Sequence, residues 1–199
     1  MTKGNERGVV LIVVLLMVAL LAALGATLAL ATATEVAIAA NYREASETLY
    51  AAEAVVAFVT QEVAVAADWS DVASVAGGST FTDGVAGGAR TVGAATLNLT
   101  DATDQLNTLV PAGPAGASPW VLYAFGRFTD LVPATSRLAP VYVAAWVANH
   151  ASSPDPAMRG ALSIFGQAYG PRGSRRAVEV IVEKVDASTV RRRLWREWP

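Results

Sequence analysis

Residues 8–34 of the chain read GVVLIVVLLMVALLAALGATLALATAT and contain no charged side chain. After Gly8, the only residues in this stretch that are not apolar are Gly25, Thr27, Thr32 and Thr34. The hydrocarbon core of a bilayer is about 30 Å thick, so a helix needs roughly 20 residues to cross it. The stretch is therefore long enough and apolar enough to be a transmembrane helix.

The charges that flank this stretch predict its orientation. Lys3 and Arg7 precede it, whereas the first charged residue after it is Glu35. Basic residues are enriched on the cytoplasmic side of membrane helices, which favours a cytoplasmic N-terminus. A secretory signal peptide with a cleavage site at Ala31-Thr32-Ala33 is the alternative, but its apolar region is typically only 7 to 15 residues long.

The helical pattern continues after Thr34. Apolar residues then recur at alternating spacings of four and three, which places them on one face of a helix; they are Ile38, Tyr42, Ala45, Leu49, Ala52, Val56, Val59 and Val63. Polar residues fall outside this stripe, namely Arg43, Glu44, Ser46, Glu47, Thr48 and Glu53. We predict one helix from about Val9 to Ala67, transmembrane over residues 9–34 and amphipathic over residues 35–67.

The remainder of the chain, residues 68–187, has the pattern of a β-rich head. Short strands are expected near Gly88–Leu99, within a stretch rich in Gly, Ala, Ser, Thr and Asp. Four further strands are predicted from alternating, β-branched or aromatic runs at Trp120–Phe128, Val141–Ala148, Ala161–Tyr169 and Ala177–Val185. An antiparallel sheet of this kind needs a cover for its apolar face, and the amphipathic helix supplies one. The predicted fold is α+β.

Composition excludes several kinds of functional site. The chain has no cysteine and therefore no disulfide, thiolate metal site or cysteine nucleophile. Its one histidine, His150, is predicted to be a surface residue at a strand end. Asp68 with Asp71, and Asp101 with Asp104, are predicted to cap helices or form turns. No motif indicates catalysis, a cofactor or a metal, so we do not expect an enzyme.

The last segment, residues 188–199, is basic and aromatic. Val190, Leu194 and Trp198 stand four residues apart, which predicts a short amphipathic helix. Either this terminus is solvated or packed on its own head, or it contacts a partner. The candidate contact residues are Arg191, Arg192, Arg193, Trp195 and Trp198. Nucleic acid is not an expected partner, because no groove-reading motif accompanies them.

The N-terminal region resembles a known family. Its start, Arg7-Gly8-Val9-Val10-Leu11-Ile12, resembles the leader junction of type IV prepilins. The stretch from Thr34-Glu35 through Asn41-Tyr42-Arg43 to Leu49-Tyr50-Ala51-Ala52-Glu53-Ala54 is similar to the PilX class of minor type IV pilins. The resemblance implies a leader at residues 1–8, cleavage by a prepilin peptidase between Gly8 and Val9, and N-methylation at Val9.

One position departs from the pattern of most pilins. They carry glutamate at the fifth mature position, which is Val13 here. PilX-class pilins and the K-type tip pseudopilins of type II secretion are similar in lacking it. The resemblance therefore implies a minor subunit at the filament tip or at the start of assembly. Its implied partners are other pilins or pseudopilins and the prepilin peptidase. The resemblance also implies that the protein first lies in the bacterial inner membrane and is then part of a filament or of the cell surface.

Two other functions stay open at this point. A bitopic envelope protein would keep the same helix and present the β-rich head in the periplasm as an interaction domain. An enzyme or binding protein released by signal peptidase would instead lose the apolar stretch.

Overall fold

A computed structural model describes residues 6–110, 118–133, 140–150 and 160–198 of the chain. The helices are α1 (Glu6–Val65), α2 (Trp69–Val72), α3 (Leu99–Leu109) and α4 (Phe128–Leu131). The strands are β1 (Ala89–Val92), β2 (Ala95–Asn98), β3 (Val121–Arg127), β4 (Tyr142–Asn149), β5 (Ala161–Tyr169), β6 (Arg175–Lys184) and β7 (Val190–Trp198). The chain divides into two units after Arg43. The predicted α+β class and the long N-terminal helix are confirmed.

The first unit contains the apolar part of α1, whose side chains are exposed. The helix segment Gly8–Val65 includes an 18-residue window with a mean hydropathy of 3.2, none of it buried within the chain. Three hydroxyls in the apolar stretch donate hydrogen bonds to main-chain carbonyls one turn earlier: Thr27 to Leu24, Thr32 to Leu28 and Thr34 to Leu30, at 2.8, 3.0 and 2.9 Å. The polar groups of the stretch are thus satisfied within the helix, as a lipid environment requires.

The second unit is built on a five-stranded sheet. Its strands follow chain order, β3-β4-β5-β6-β7, and each neighbouring pair is antiparallel. The part of α1 from Glu44 onward packs on one face, where Val55, Val59 and Val63 are fully buried. Gly166 in β5 permits this close packing, because a Cβ there would collide with Val56 and stand 2.9 Å from the Ala52 carbonyl oxygen.

The predicted strands of the head are confirmed. In β6, Val178, Val180 and Val182 all belong to the core beneath α1, as their alternation indicated. The hairpin of β1 and β2 lies within the stretch where short strands were expected.

The opposite face of the sheet has a cover that the sequence analysis did not predict. Helix α3 begins after Asn98, whose side-chain oxygen accepts hydrogen bonds from the Thr100 and Asp101 amides. Its buried residues Leu99 and Leu106 join a second core with residues of β3, β4 and β5. The head is therefore a sheet with a helix on each face.

The burial of four side chains of α1 differs from the prediction. Glu44 and Thr48 were placed outside the apolar stripe, yet Glu44 is 9% exposed and Thr48 is fully buried. Ile38 and Tyr42, assigned to the stripe, are exposed. The buried face of α1 therefore begins with polar residues at Glu44 and becomes apolar from Ala51.

The terminal segment is also different from its prediction. Residues 190–198 form strand β7, paired with β6, and not an amphipathic helix. A bulge at Arg193 interrupts the pairing between Ile181↔Leu194 and Val182↔Arg192.

Candidate assembly surfaces

The predicted processing residues lie together near the start of α1. Gly8 is exposed, and a Cβ added there would meet no atom within 4 Å. Val9 is 58% exposed and Val13 is 44% exposed. Val9 and Val13 are four residues apart on a helix, so they share one face. Packing within the described chain gives no reason for glycine at position 8.

A buried polar cluster lies where the packed part of α1 begins. The Glu44 carboxylate accepts hydrogen bonds from Arg172 Nε at 2.6 Å and from Ser174 Oγ at 3.0 Å. Thr48 donates to the Glu44 carbonyl oxygen at 2.7 Å, and its hydroxyl lies 3.2 Å from Ser174 Oγ. Gly170 lets the turn approach, since a Cβ there would collide with Ser174.

The electrostatics of this cluster favour a charged Glu44. Burial raises the pKa of the carboxyl, but the hydrogen bonds from Arg172 and Ser174 and the Arg172 charge lower it more strongly. The net effect is a pKa below the ordinary value of 4.5. The ion pair thus joins the helix to the β5–β6 turn at neutral pH.

A second polar cluster holds the other end of α1. The Glu62 carboxylate accepts a hydrogen bond from the main-chain amide of Thr80 at 2.9 Å and another from the Ser79 hydroxyl at 2.5 Å. Lys184 Nζ donates to the Ala66 carbonyl oxygen just beyond the helix end, at 2.5 Å. Cations are favourable near helix C-termini, where carbonyl groups lack partners within the helix.

Strand β7 carries the arginines of the terminal segment. Arg191 and Arg193 both form ion pairs with Glu183. Arg196 forms an ion pair with Glu179, which also accepts a hydrogen bond from the Trp198 indole at 3.0 Å. Glu179 is only 3% exposed, and the sequence analysis did not identify it as a buried residue.

All five predicted contact residues lie on β7; four of them are exposed, and Trp198 is only partly exposed. The arginine side chain of Arg196 stacks over Trp198, 4.2 Å from the ring centroid. Trp195 is 43% exposed. Strand β7 therefore places the candidate contact residues along one edge of the sheet, on both faces of the strand.

Residues 7–57 match the family model described as PilX N-terminal. The chain carries the N-terminal region of PilX-class type IV pilins. The match implies a type IV pilus-related minor pilin, a family that is in general structural. Searches of curated proteins and of solved structures found no match. The similarity to K-type tip pseudopilins stays a prediction.

The matched region extends past Arg43 into the part of α1 that packs on the head. It therefore includes Glu44 and Thr48 from the buried cluster, together with the fully buried Ala51, Ala52 and Val55. The cleavage site at Gly8 and Val9, the role of Val13 and the contact role of the β7 residues stay predictions.

The prediction for His150 is wrong. The residue lies at the end of β4 but is fully buried, and its Nε2 is 2.8 Å from Ser163 Oγ on β5. Burial lowers the pKa of His150, although the charge of Glu179 opposes this effect. The His150 amide donates to the Ala161 carbonyl at 3.1 Å, which continues the pairing of β4 with β5 beyond Asn149.

Proposed function

We propose that this protein is a minor subunit of a type IV pilus or a related filament, with a role in assembly and without catalysis. The observation that carries the proposal is the PilX N-terminal match over residues 7–57. It begins beside Gly8 and reaches the segment of α1 that forms the core of the head. A pilin uses such a helix both to remain in the membrane before assembly and to support its head.

Processing is the first component of the proposal. A prepilin peptidase cleaves between Gly8 and Val9 and the new N-terminus is methylated at Val9. The open surroundings of Gly8 support this role. Because packing does not require glycine at this position, recognition by the peptidase accounts for it. The precursor lies in the bacterial inner membrane, with its N-terminus in the cytoplasm and its head in the periplasm, before transfer to the filament.

The mass and N-terminal residue of the mature protein test this component. Methylated Val9 is the expected result. An intact Met1 would support a bitopic envelope protein that presents its head in the periplasm. A start near Thr34 would support a protein released by signal peptidase.

Position in the filament is the second component. With Val13 in place of a glutamate, the subunit does not offer a carboxylate to the amine of a neighbouring subunit. Its own methylated amine at Val9 is still available to the glutamate of another pilin. In an uncharged bilayer interior, one such charge pair is worth about a kcal/mol or more. This asymmetry favours a subunit that is added early and stays at the tip.

The tip position predicts low copy number, and deletion should reduce the number of filaments more than their length. Immunogold labelling of filaments with an antibody to the head checks the position. Labelling along the whole shaft, in amounts comparable to the major pilin, would contradict the tip role and leave the pilin assignment intact.

The proposed structural role agrees with how the described carboxylates are used. Glu44, Glu62 and Glu179 hold parts of the head together through hydrogen bonds.

A further inference from the structure

Strand β7 has no buried side chain. Its residues are exposed except Val190 and Trp198, at the two ends, which are partly buried. Strands β3 to β6 each contribute buried residues to the two cores. Elements with few buried apolar contacts open locally at a small free-energy cost. Burial therefore holds β7 less firmly than any other strand of the five-stranded sheet.

Neither helix covers β7. On the face where α1 packs, a groove of about 610 Å³ lies between the helix and the strand, lined by Glu53 on one side and Trp195 on the other. On the opposite face, a cavity of about 210 Å³ is lined by Leu109 at the end of α3 and by Trp198 of β7. Side chains that border such spaces lack the contacts of a close-packed core.

The backbone pairing of β7 is also incomplete. The bulge at Arg193 leaves this residue without an opposite residue in β6, and within the described parts of the chain β7 pairs only with β6. The other edge strand, β3, has further bonds outside the sheet: the Gly77 amide donates to the Leu122 carbonyl at 2.8 Å, and the Phe125 amide donates to the Phe81 carbonyl at 3.0 Å. Because released backbone groups bond to water, each hydrogen bond of β7 adds only modest stability.

Two carboxylates of β6 bind the side chains of β7. Glu183 pairs with two arginines of the strand, and its side chain is 21% exposed. Glu179 pairs with Arg196 and accepts a hydrogen bond from the Trp198 indole at 3.0 Å, and its side chain is 4% exposed. Water and salt screen an exposed ion pair more than a pair with a buried member. Glu179 therefore binds β7 more firmly than Glu183 does.

We propose that β7 (Val190–Trp198) is a strap that opens as a unit while β3 to β6 stay folded, and that Glu179 is its latch. The turn at residues 185–189 is the hinge, where the Val185 amide donates to the Thr189 carbonyl at 2.9 Å. Opening makes β6 an edge strand and exposes the Glu179 carboxylate to solvent. This inference goes beyond the proposed function and does not depend on it.

Native-state hydrogen exchange of the full chain in detergent micelles, measured by mass spectrometry of its peptides, tests the strap. The amides of β7 that bond to β6 should exchange faster than those of β5, and low urea should accelerate only the β5 amides. A local opening exposes little surface and is almost insensitive to urea, whereas global unfolding exposes the whole core. Equal rates with equal urea dependence in the two strands would overturn the proposal.

Glu179→Gln tests the latch. The substitution removes the charge that pairs with Arg196, so exchange of the bonded β7 amides should become about tenfold faster, the usual effect of one charge-assisted hydrogen bond. Glu197→Gln is the matched control, because Glu197 is exposed on β7 opposite Val178 and forms no ion pair within the described part of the chain. If the two variants exchange alike, Glu179 is not the latch and the proposal fails.

A cross-link tests opening without a change to the latch. The chain has no cysteine, so Ile181→Cys together with Leu194→Cys introduces a single pair. These residues lie directly opposite each other in β6 and β7, and opposite residues of antiparallel strands are close enough for a disulfide. Oxidation should slow exchange of β7 to the rate of β5, and reduction should restore it. Exchange of β7 that stays fast after complete oxidation, verified by mass, would contradict opening as a strap.

Discussion

Replacement of Val59 by alanine should destabilise the head through loss of core packing. Val59 lies in α1, is fully buried and belongs to the core beneath the helix. The substitution removes two methyl groups, each worth about 0.8 kcal/mol of transfer free energy. Incomplete collapse of the resulting cavity raises the total to about 2–3 kcal/mol. For a domain of this size, the expected fall in Tm is about 4–10 °C.

The measurement is thermal and urea unfolding of a fragment that begins at Glu35. Its two buried clusters consist of residues from Ala51 onward, so the fragment contains its own core. Val65→Ala is the matched control, since Val65 lies in the same helix but is 72% exposed. Its effect on stability should stay within about 0.5 kcal/mol.

The reasoning is refuted if both substitutions have the same small effect. That result would mean that the buried face of α1 is satisfied by another subunit or is solvated, and not by the sheet of its own head. A change in the urea m value without a change in midpoint would point instead to an altered unfolded state.

Three other perturbations test separate parts of the structure. Gly8→Trp should leave the precursor at full mass beside an active prepilin peptidase, whereas the unaltered protein loses residues 1–8; equal masses would contradict cleavage at this site. Gly166→Ala should cost about 1–3 kcal/mol in urea unfolding, because its Cβ would collide with Val56 and press on the Ala52 carbonyl; an unaffected midpoint would show that the helix is free to move away from β5. The lowered pKa of Glu44 stabilises the head above its unfolded value of 4.5, and this stability is lost as the pH falls through the folded pKa. Glu44→Gln should therefore flatten the acid dependence of Tm below about pH 4.5, and an unchanged pH profile would mean that the Arg172 pair does not contribute.

Local patterns predicted the parts of the fold that depend on short-range periodicity. The alternation of Val178, Val180 and Val182 identified the buried face of β6, and the spacing of Val56, Val59 and Val63 identified the face of α1 that packs on the head. Each signal is a repeat within one element, so one sequence is enough to detect it.

The features that were missed depend on contacts between distant residues. Glu44 and Thr48 are buried because Arg172 and Ser174 reach them from the β5–β6 turn, more than 120 positions away in sequence. His150 is buried and hydrogen-bonded to Ser163 of β5, 13 positions away in sequence. Helix α3 has a local signal in the Asn98 cap, but its apolar positions Leu99 and Leu106 are widely spaced in a polar segment.

One extra residue in β7 explains why the sequence pattern of residues 190–198 predicted a helix and not a strand. Before the bulge, Arg192 lies on the same sheet face as Val182; after it, Trp195 lies on that face with Val180, and Leu194 lies on the other face with Ile181. The added residue, Arg193, breaks the alternation of period two, and the chance spacing of Val190, Leu194 and Trp198 then resembles a helix. The same bulge sets the charge pattern of the edge: Arg191 and Arg193 converge on Glu183, while Arg192 lies on the opposite face of the strand from Arg191. Deletion of Arg193 should restore regular alternation and leave Arg192 opposite Val182 and Leu194 opposite Ile181, because these two pairs already flank the bulge. The deletion removes one of the two ion pairs of Glu183, and because that pair is partly exposed, the loss of stability in urea unfolding should stay within about 1 kcal/mol. A much larger loss would mean that the bulge itself, and not the ion pair, stabilises the pairing of β7 with β6.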